Sequence, residues 1–272
     1  MSKLSKTEVV TSHGVIAVEK NSARGPNVLF LHGNSTCRAV FQKQFMDDIL
    51  GSYHLIALDL PGHGESGDAV DPERTYSRPG LADACLEVMA AMAVRSAVIV
   101  GWSLGGHIAI EMLSRSTGID GIMVTGTPPV GDNIADGFRR RPLGGLAGEA
   151  ELTSEEAVEF AHAIMGPHLE PFIPRTIRRT DKHFRPLLVS GAMKGHGANQ
   201  RDVLSATSVP TAIVNGALDD IVNLDYVESV PYGNLWNDRC IRIPHASHAP
   251  FWEVPASFNA LLRNFLDDVH QR

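Results

Sequence analysis

Short stretches of near-continuous apolar residues punctuate the chain: V-L-F-L-H (28–32), L-I-A-L-D-L (55–60), A-V-I-V-G (97–101), G-I-M-V-T (121–125) and T-A-I-V-N-G (211–216). A strand buried on one face alternates apolar and polar residues, whereas a strand covered on both faces does not. Longer segments at 79–94 and 105–116 carry apolar residues at helical spacing. Strand followed by helix followed by strand implies a mostly parallel, twisted sheet with right-handed crossovers and helices on both faces. Residues 7–11 and 15–19, joined by Ser12-His13-Gly14, predict an antiparallel hairpin at one sheet edge. A final amphipathic helix is predicted over 255–269, with proline in its first turn.

The rhythm breaks once. Between 128 and 199 no strand-like run occurs; glycines, prolines, the triplet Arg139-Arg140-Arg141 and helical patterns around 154–165 and 171–179 take its place. That stretch is too long for an ordinary loop and too regularly patterned for a disordered linker. It predicts a helical cap inserted at 128–199 into a core made of 1–127 and 200–272, with the basic triplet on the solvated cap surface.

Composition narrows the function classes. In the 272 residues, 24 Lys and Arg stand against 31 Asp and Glu, a net charge of −7, with 43% hydrophobic and 20% charged residues. A nucleic-acid partner would need a concentrated basic face, so none is expected. The 3 cysteines, at 37, 85 and 240, form no C-x-x-C and cannot all pair, which argues against a disulfide scaffold or a thiolate zinc site. The first twenty residues hold no apolar block of signal-peptide length, and no run approaches the ~20 apolar residues of a membrane span. A cytoplasmic protein without a membrane partner is the expectation. The 12 histidines show no H-E-x-x-H, and no metal or cofactor is expected.

The sharpest chemical signal is G-W-S-L-G-G at 101–106, directly after an apolar strand and directly before a helical pattern. A strand turning abruptly into a helix strains the middle residue, and glycines two before and two after give clearance. Ser103 would then project from the turn as a nucleophile. A serine hydroxyl is weakly nucleophilic and needs a base that is itself held by an acid. His248, in H-A-S-H-A-P-F-W-E, is preferred as the base over His245, because small Ser247 precedes it and Ala249-Pro250 follow. The acid should follow the strand at 211–216, where Asp219 and Asp220 both stand; Asp219, three residues past Gly216, is preferred. An oxyanion site needs two N–H donors. Leu104 supplies one as the residue after the nucleophile, and Asn34 of H-G-N-S-T (32–36) is the candidate for the other. In D-L-P-G-H-G-E-S (59–66), His63 reads as structural, and His107 as packed. Cys37 reads as a small buried hydrophobe.

These motifs, in this order, resemble those of the α/β-hydrolase superfamily from about residue 15 to 266. More narrowly, H-G-N-S, G-W-S-L-G-G-H-I, T-G-T-P-P-V (125–130), N-Q-R-D (199–202) and G-N-L-W (233–236) are similar to the metal-independent N-acyl-homoserine lactonases of that superfamily. The resemblance implies an α/β-hydrolase fold with an inserted helical cap. It also implies a small-molecule acyl lactone substrate, opened by Ser103, His248 and Asp219 through an acyl-enzyme without a metal. That family's acid can be Glu where Asp219 stands, and a cap tyrosine is expected near Phe160, where this chain has phenylalanine. Trp102, Phe138, Phe160 and Met165 are candidates to line the acyl site, with cap core as the equal alternative for the cap residues. A general carboxylesterase or a perhydrolase of the same fold would use the same triad. A ligand receptor that keeps the triad is the alternative from another class.

Overall fold

The computed structural model describes residues 3–139, 142–167 and 169–271, so Arg140 and Arg141 of the basic triplet lie outside the described residues. The apolar runs fold as a sheet. Among the described residues it comprises β1 (Leu4–Thr11), β2 (Gly14–Asn21), β3 (Asn27–Leu31), β4 (His54–Leu58), β5 (Ala97–Trp102), β6 (Ile119–Thr125), β7 (Thr211–Gly216) and β8 (Ile241–Ile243). Their order is β1-β2-β4-β3-β5-β6-β7-β8. The β1/β2 and β2/β4 pairs are antiparallel, and every other pair is parallel. The hairpin extends further than its pattern suggested, because β1 buries only Val9 and is otherwise solvated. Strand β8 is three residues long and half-exposed, which left little signature.

Helices α1 (Arg78–Ala91) and α2 (Leu104–Leu113) pack on one face of the sheet. With β3 residues Leu29 and Leu31 and β5 residue Ile99, their Leu81, Val88, Ile108 and Ile110 build one core. The alternate β3 residues Val28 and Phe30 belong to the other core. Consecutive strand residues thus serve opposite faces, and the strands therefore read as unbroken apolar runs.

Between β6 and β7 lie α3 (Ser154–Met165), α4 (Phe172–Arg179), α5 (Phe184–Met193) and α6 (Gln200–Ala206). Helix α3 opens on a capping box, with Thr153 and Glu156 satisfying each other's backbone N–H groups. Helix α5 carries Pro186 in its first turn and Gly191 near its end, a composition that concealed it. The second core runs from the sheet through Phe258, Leu262 and Phe265 into Phe160, Ile164, Ile173 and Ile177 of this segment. The chain closes with α7 (Leu224–Glu228), the short α8 (Pro250–Glu253) and α9 (Pro255–His270). No helix among the described residues is long and apolar enough to cross a membrane.

Candidate active site

The turn between β5 and α2 is strained at one residue. Ser103 has φ 53 and ψ −116, a region that a side-chain-bearing residue enters only under constraint. The constraint comes from its neighbours: a Cβ on Gly101 would strike the Gly105 carbonyl, and one on Gly105 would strike the Leu31 carbonyl. The Ser103 N–H donates to the Thr125 carbonyl at 2.9 Å, and the Thr127 hydroxyl donates to the Ser103 carbonyl at 2.7 Å. The T-G-T of 125–127 is thus a clamp on the serine turn. Leu104, first residue of α2, contributes an N–H from the unpaired donors of a helix start.

Asp219 and His248 meet. His248 Nδ1 lies 2.9 Å from Asp219 Oδ2, and both residues are buried. The other carboxylate oxygen, Oδ1, accepts the N–H groups of Ile221 at 2.9 Å and Val222 at 3.0 Å. Burial by itself would raise the Asp219 carboxyl, yet His248 and these two N–H groups hold it below the ordinary carboxylate range. The competitors stand elsewhere: Asp220 and His245 are both exposed. Among the described residues, no hydrogen bond joins the Ser103 hydroxyl to His248.

Two further groups hold the histidine loop. Trp102 Nε1 donates to the His248 carbonyl at 2.9 Å. Glu253 brackets the histidine from both sides, accepting the Ser247 N–H at 3.0 Å, the Ser247 hydroxyl at 2.7 Å and the Ala249 N–H at 3.1 Å. Asn215 fixes the facing wall by accepting the Gly126 N–H at 2.8 Å, and a Cβ on Gly126 would lie 3.0 Å from His248 Cε1. Sequence reasoning passed over Glu253 and Asn215; the glutamate's place four residues after Ala249, at the end of the loop it holds, was the available signal.

The H-G-N loop abuts the serine, since a Cβ on Gly33 would lie 3.3 Å from Ser103 Cβ. Its shape depends on two buried histidines. His32 Nδ1 is 2.8 Å from the Gly33 carbonyl, while its Nε2 accepts the Leu60 N–H at 3.0 Å. His63 Nε2 accepts the Ser35 N–H at 3.2 Å, and its Nδ1 faces the Pro61 carbonyl at 2.9 Å. Each ring therefore donates through Nδ1 and accepts through Nε2, and burial keeps both neutral by lowering their pKa. D-L-P-G-H-G-E-S is thus the brace of the H-G-N loop. Within it, buried Asp59 accepts the Arg38 and Glu65 N–H groups at 2.7 Å each and pairs with the Arg38 guanidinium. Asn34 is half-buried; its Oδ1 accepts the Ser35 hydroxyl at 2.7 Å and its Nδ2 donates to the Ala147 carbonyl at 3.3 Å.

The residues expected at the acyl site are mostly buried. Trp102 is 1% exposed, Phe160 1% and Met165 0%, all within the core that joins sheet to α3. Apolar letters alone do not separate a pocket wall from a packed core, and burial is common to both. Phe138 is half-buried and bridges to Val222, beside the N–H groups that hold Asp219. His107 Nδ1 lies 2.7 Å from Gln200 Oε1, tying α2 to the N-Q-R-D stretch. Burial and nearby Arg78 lower its pKa to about 4. Cys37 is buried, which pushes its thiol up to about 12. Among the described residues, no group of three or more His, Cys, Asp or Glu side chains is placed to hold a metal.

A sheet of this order, a strained serine between strand and helix, and a buried His–Asp pair after the next strands define an α/β hydrolase. The chain belongs to that family: the alpha/beta hydrolase family model matches residues 28–261. Among solved structures it is similar to the N-acyl homoserine lactonase AidH. In complex with N-butanoyl homoserine, AidH superposes with a TM-score of 0.96 at 41% identity over 98% of each chain. An AidH variant complexed with N-hexanoyl homoserine lactone gives a TM-score of 0.95 at 41% identity, over 98% of this chain and 99% of that one. A more distant relative is the pimeloyl-[acyl-carrier protein] methyl ester esterase of Aeromonas hydrophila, 28% identical over 92% of this chain and 99% of that protein. Together these likenesses support an ester-hydrolysing enzyme.

Proposed function

We propose that the protein opens the lactone ring of N-acyl-homoserine lactones by serine catalysis, with Ser103 as nucleophile, His248 as base and Asp219 as its orienting acid. The observation that carries the substrate class is the 41% identity with AidH over 98% of this chain. Ser103 Oγ attacks the lactone carbonyl and its proton passes to His248 Nε2, while Asp219 holds Nδ1–H and steadies the imidazolium. The N–H groups of Leu104 and Asn34 stabilise the tetrahedral oxyanion. Collapse breaks the ring C–O bond, and the departing alkoxide takes the proton from His248. Because the leaving group is part of the ring, the acyl-enzyme retains the whole substrate, now with a free hydroxyl. Water then gives His248 a proton as it attacks the ester, and Ser103 recovers that proton on leaving, so that N-acyl-homoserine is released. The Ser103–His248 contact closes when substrate is seated, as is common at such sites. In this scheme the 128–199 segment is a cap sheltering the acyl chain, with Phe138 at its inner edge. A cytoplasmic setting suits the free thiols of Cys37, Cys85 and Cys240.

A second function is favoured by the esterase relatives: hydrolysis of acyclic carboxylic esters at the same serine. One experiment separates the two. Purified protein is incubated with N-hexanoyl homoserine lactone and, separately, with a panel of aryl esters, and products are followed by mass spectrometry. Ring opening that is abolished in Ser103→Ala supports the lactonase; rapid ester cleavage with an intact lactone refutes it.

A further inference from the structure

Arg185, on α5, is 1% exposed, and none of its hydrogen bonds among the described residues goes to a carboxylate. A guanidinium buried in this way loses its hydration and must find every donor a partner. Four of its five N–H donors meet backbone carbonyls and one hydroxyl. Nη2 donates to the Ala150 carbonyl at 2.9 Å, Nε to the Glu149 carbonyl, and Nη1 to the Ile177 carbonyl at 3.2 Å. The remaining partner lies outside the 128–199 segment: Nη1 donates to the Ser35 hydroxyl at 2.8 Å. That hydroxyl then has its own proton free for Asn34 Oδ1, 2.7 Å away. The Asn34 amide is completed by Nδ2 on the Ala147 carbonyl at 3.3 Å, back in the segment that Arg185 ties together.

The relay closes a loop. Ser35 is held by its N–H on His63 and by its hydroxyl between Arg185 and Asn34, at a backbone φ of 61 that favours glycine. Without the guanidinium, the hydroxyl could rotate to other acceptors and the Asn34 side chain would lose its fixed partner. A charge-assisted donor also polarises the hydroxyl, strengthening its bond to Asn34. We propose that Arg185 is a positioning residue: through the Ser35 hydroxyl it sets the conformation of Asn34, and it thereby makes assembly of the oxyanion site depend on the docking of the 128–199 segment. The role rests on the function proposed above, in which the Asn34 N–H is an oxyanion donor.

The test uses Arg185→Met, Arg185→Lys, Ser35→Ala and the Arg185→Met/Ser35→Ala pair, with N-hexanoyl homoserine lactone as substrate. Active sites are counted by titration with a fluorophosphonate, and an alkyl trifluoromethyl ketone serves as transition-state analogue. Per titrated site, Arg185→Met and Ser35→Ala should each lower kcat on the order of 10- to 100-fold, with KM nearly unchanged. Affinity for the ketone should fall by the same factor. The double variant should be no worse than the worse single, because both cut one relay. Arg185→Lys, which keeps charge but not the fork, should fall between wild type and Arg185→Met. A wild-type kcat per titrated site in Ser35→Ala, or ketone affinity unchanged in either single variant, overturns the positioning role. If Arg185→Met does not fold, Ser35→Ala decides alone. Failure of the underlying function would look different: wild-type enzyme would leave the lactone intact, and as an esterase using the same serine it would still bind the ketone.

Discussion

Replacing Asp219 by asparagine isolates one proton. The carboxylate does two jobs with two oxygens: Oδ1 accepts the N–H groups of Ile221 and Val222, and Oδ2 faces His248 Nδ1. Asparagine has one acceptor and one donor end. With its oxygen toward Ile221 and Val222, its NH₂ points at Nδ1, and the imidazole must move its proton to Nε2 to accept. The opposite rotamer sets the NH₂ against two buried N–H donors and leaves both unpaired, which costs about 1–3 kcal/mol for each. The tautomer switch is the cheaper outcome. It leaves Nε2 protonated, facing a serine from which it can no longer take a proton. The fold and KM should persist while kcat drops on the order of 10⁴-fold, the magnitude known for this substitution in a serine protease triad, or about 5 kcal/mol of barrier. Steady-state lactone opening per titrated site measures it. Exposed Asp220→Asn should stay within a few-fold of wild type. A loss under tenfold in Asp219→Asn, or a greater loss in Asp220→Asn, would refute the assignment of the acid.

Glu253→Gln should lower kcat by about tenfold with little change in KM, since an amide cannot accept from Ser247 and Ala249 on both ends; unchanged kcat would show that the bracket does not position His248. The neutral buried histidines should make stability fall on acidification. The unfolded chain takes up their protons as pH drops through about 6.5, whereas His32 and His63 resist and His107 waits until about 4. The folded state binds fewer protons in that window, so stability is full above it and erodes as pH falls across it. Urea midpoints from pH 7 to 4.5 should decline, and less steeply in His107→Gln; equal slopes in the two proteins would remove His107 as a cause.

What the sequence disclosed, it disclosed through backbone demands. Gly101 and Gly105 stand where a Cβ would meet backbone, so the serine turn could be read from letters alone. Asp219 and His248 were placed by their offsets from a strand and a terminal helix, and the structure hydrogen-bonds them. Partners that lie far apart in the chain left no such trace. Arg185 reaches Ser35 across 150 positions, and nothing near either residue announces the other. Trp102, Phe160 and Met165 show the converse difficulty: a buried aromatic or methionine has the same letter whether it packs a core or lines a cavity. T-G-T-P-P-V is only a likeness as letters; its physical reason lies in Thr127 and Gly126, which stand against Ser103 and His248.

The order of strands also has a history within each molecule. The strand before Ser103 is flanked by β3 and β6, both supplied by the first 125 residues, whereas Asp219 and His248 follow β7 and β8, which join at the far side of β6. As the chain leaves the ribosome, the serine turn can therefore form while the His–Asp pair is still unmade. Until β7 arrives, β6 is an open, largely apolar edge, the kind of surface on which nascent chains pair wrongly. Slow synthesis across 126–210 would prolong that exposure, so delay there is expected to lower the yield of folded protein without changing its stability once folded.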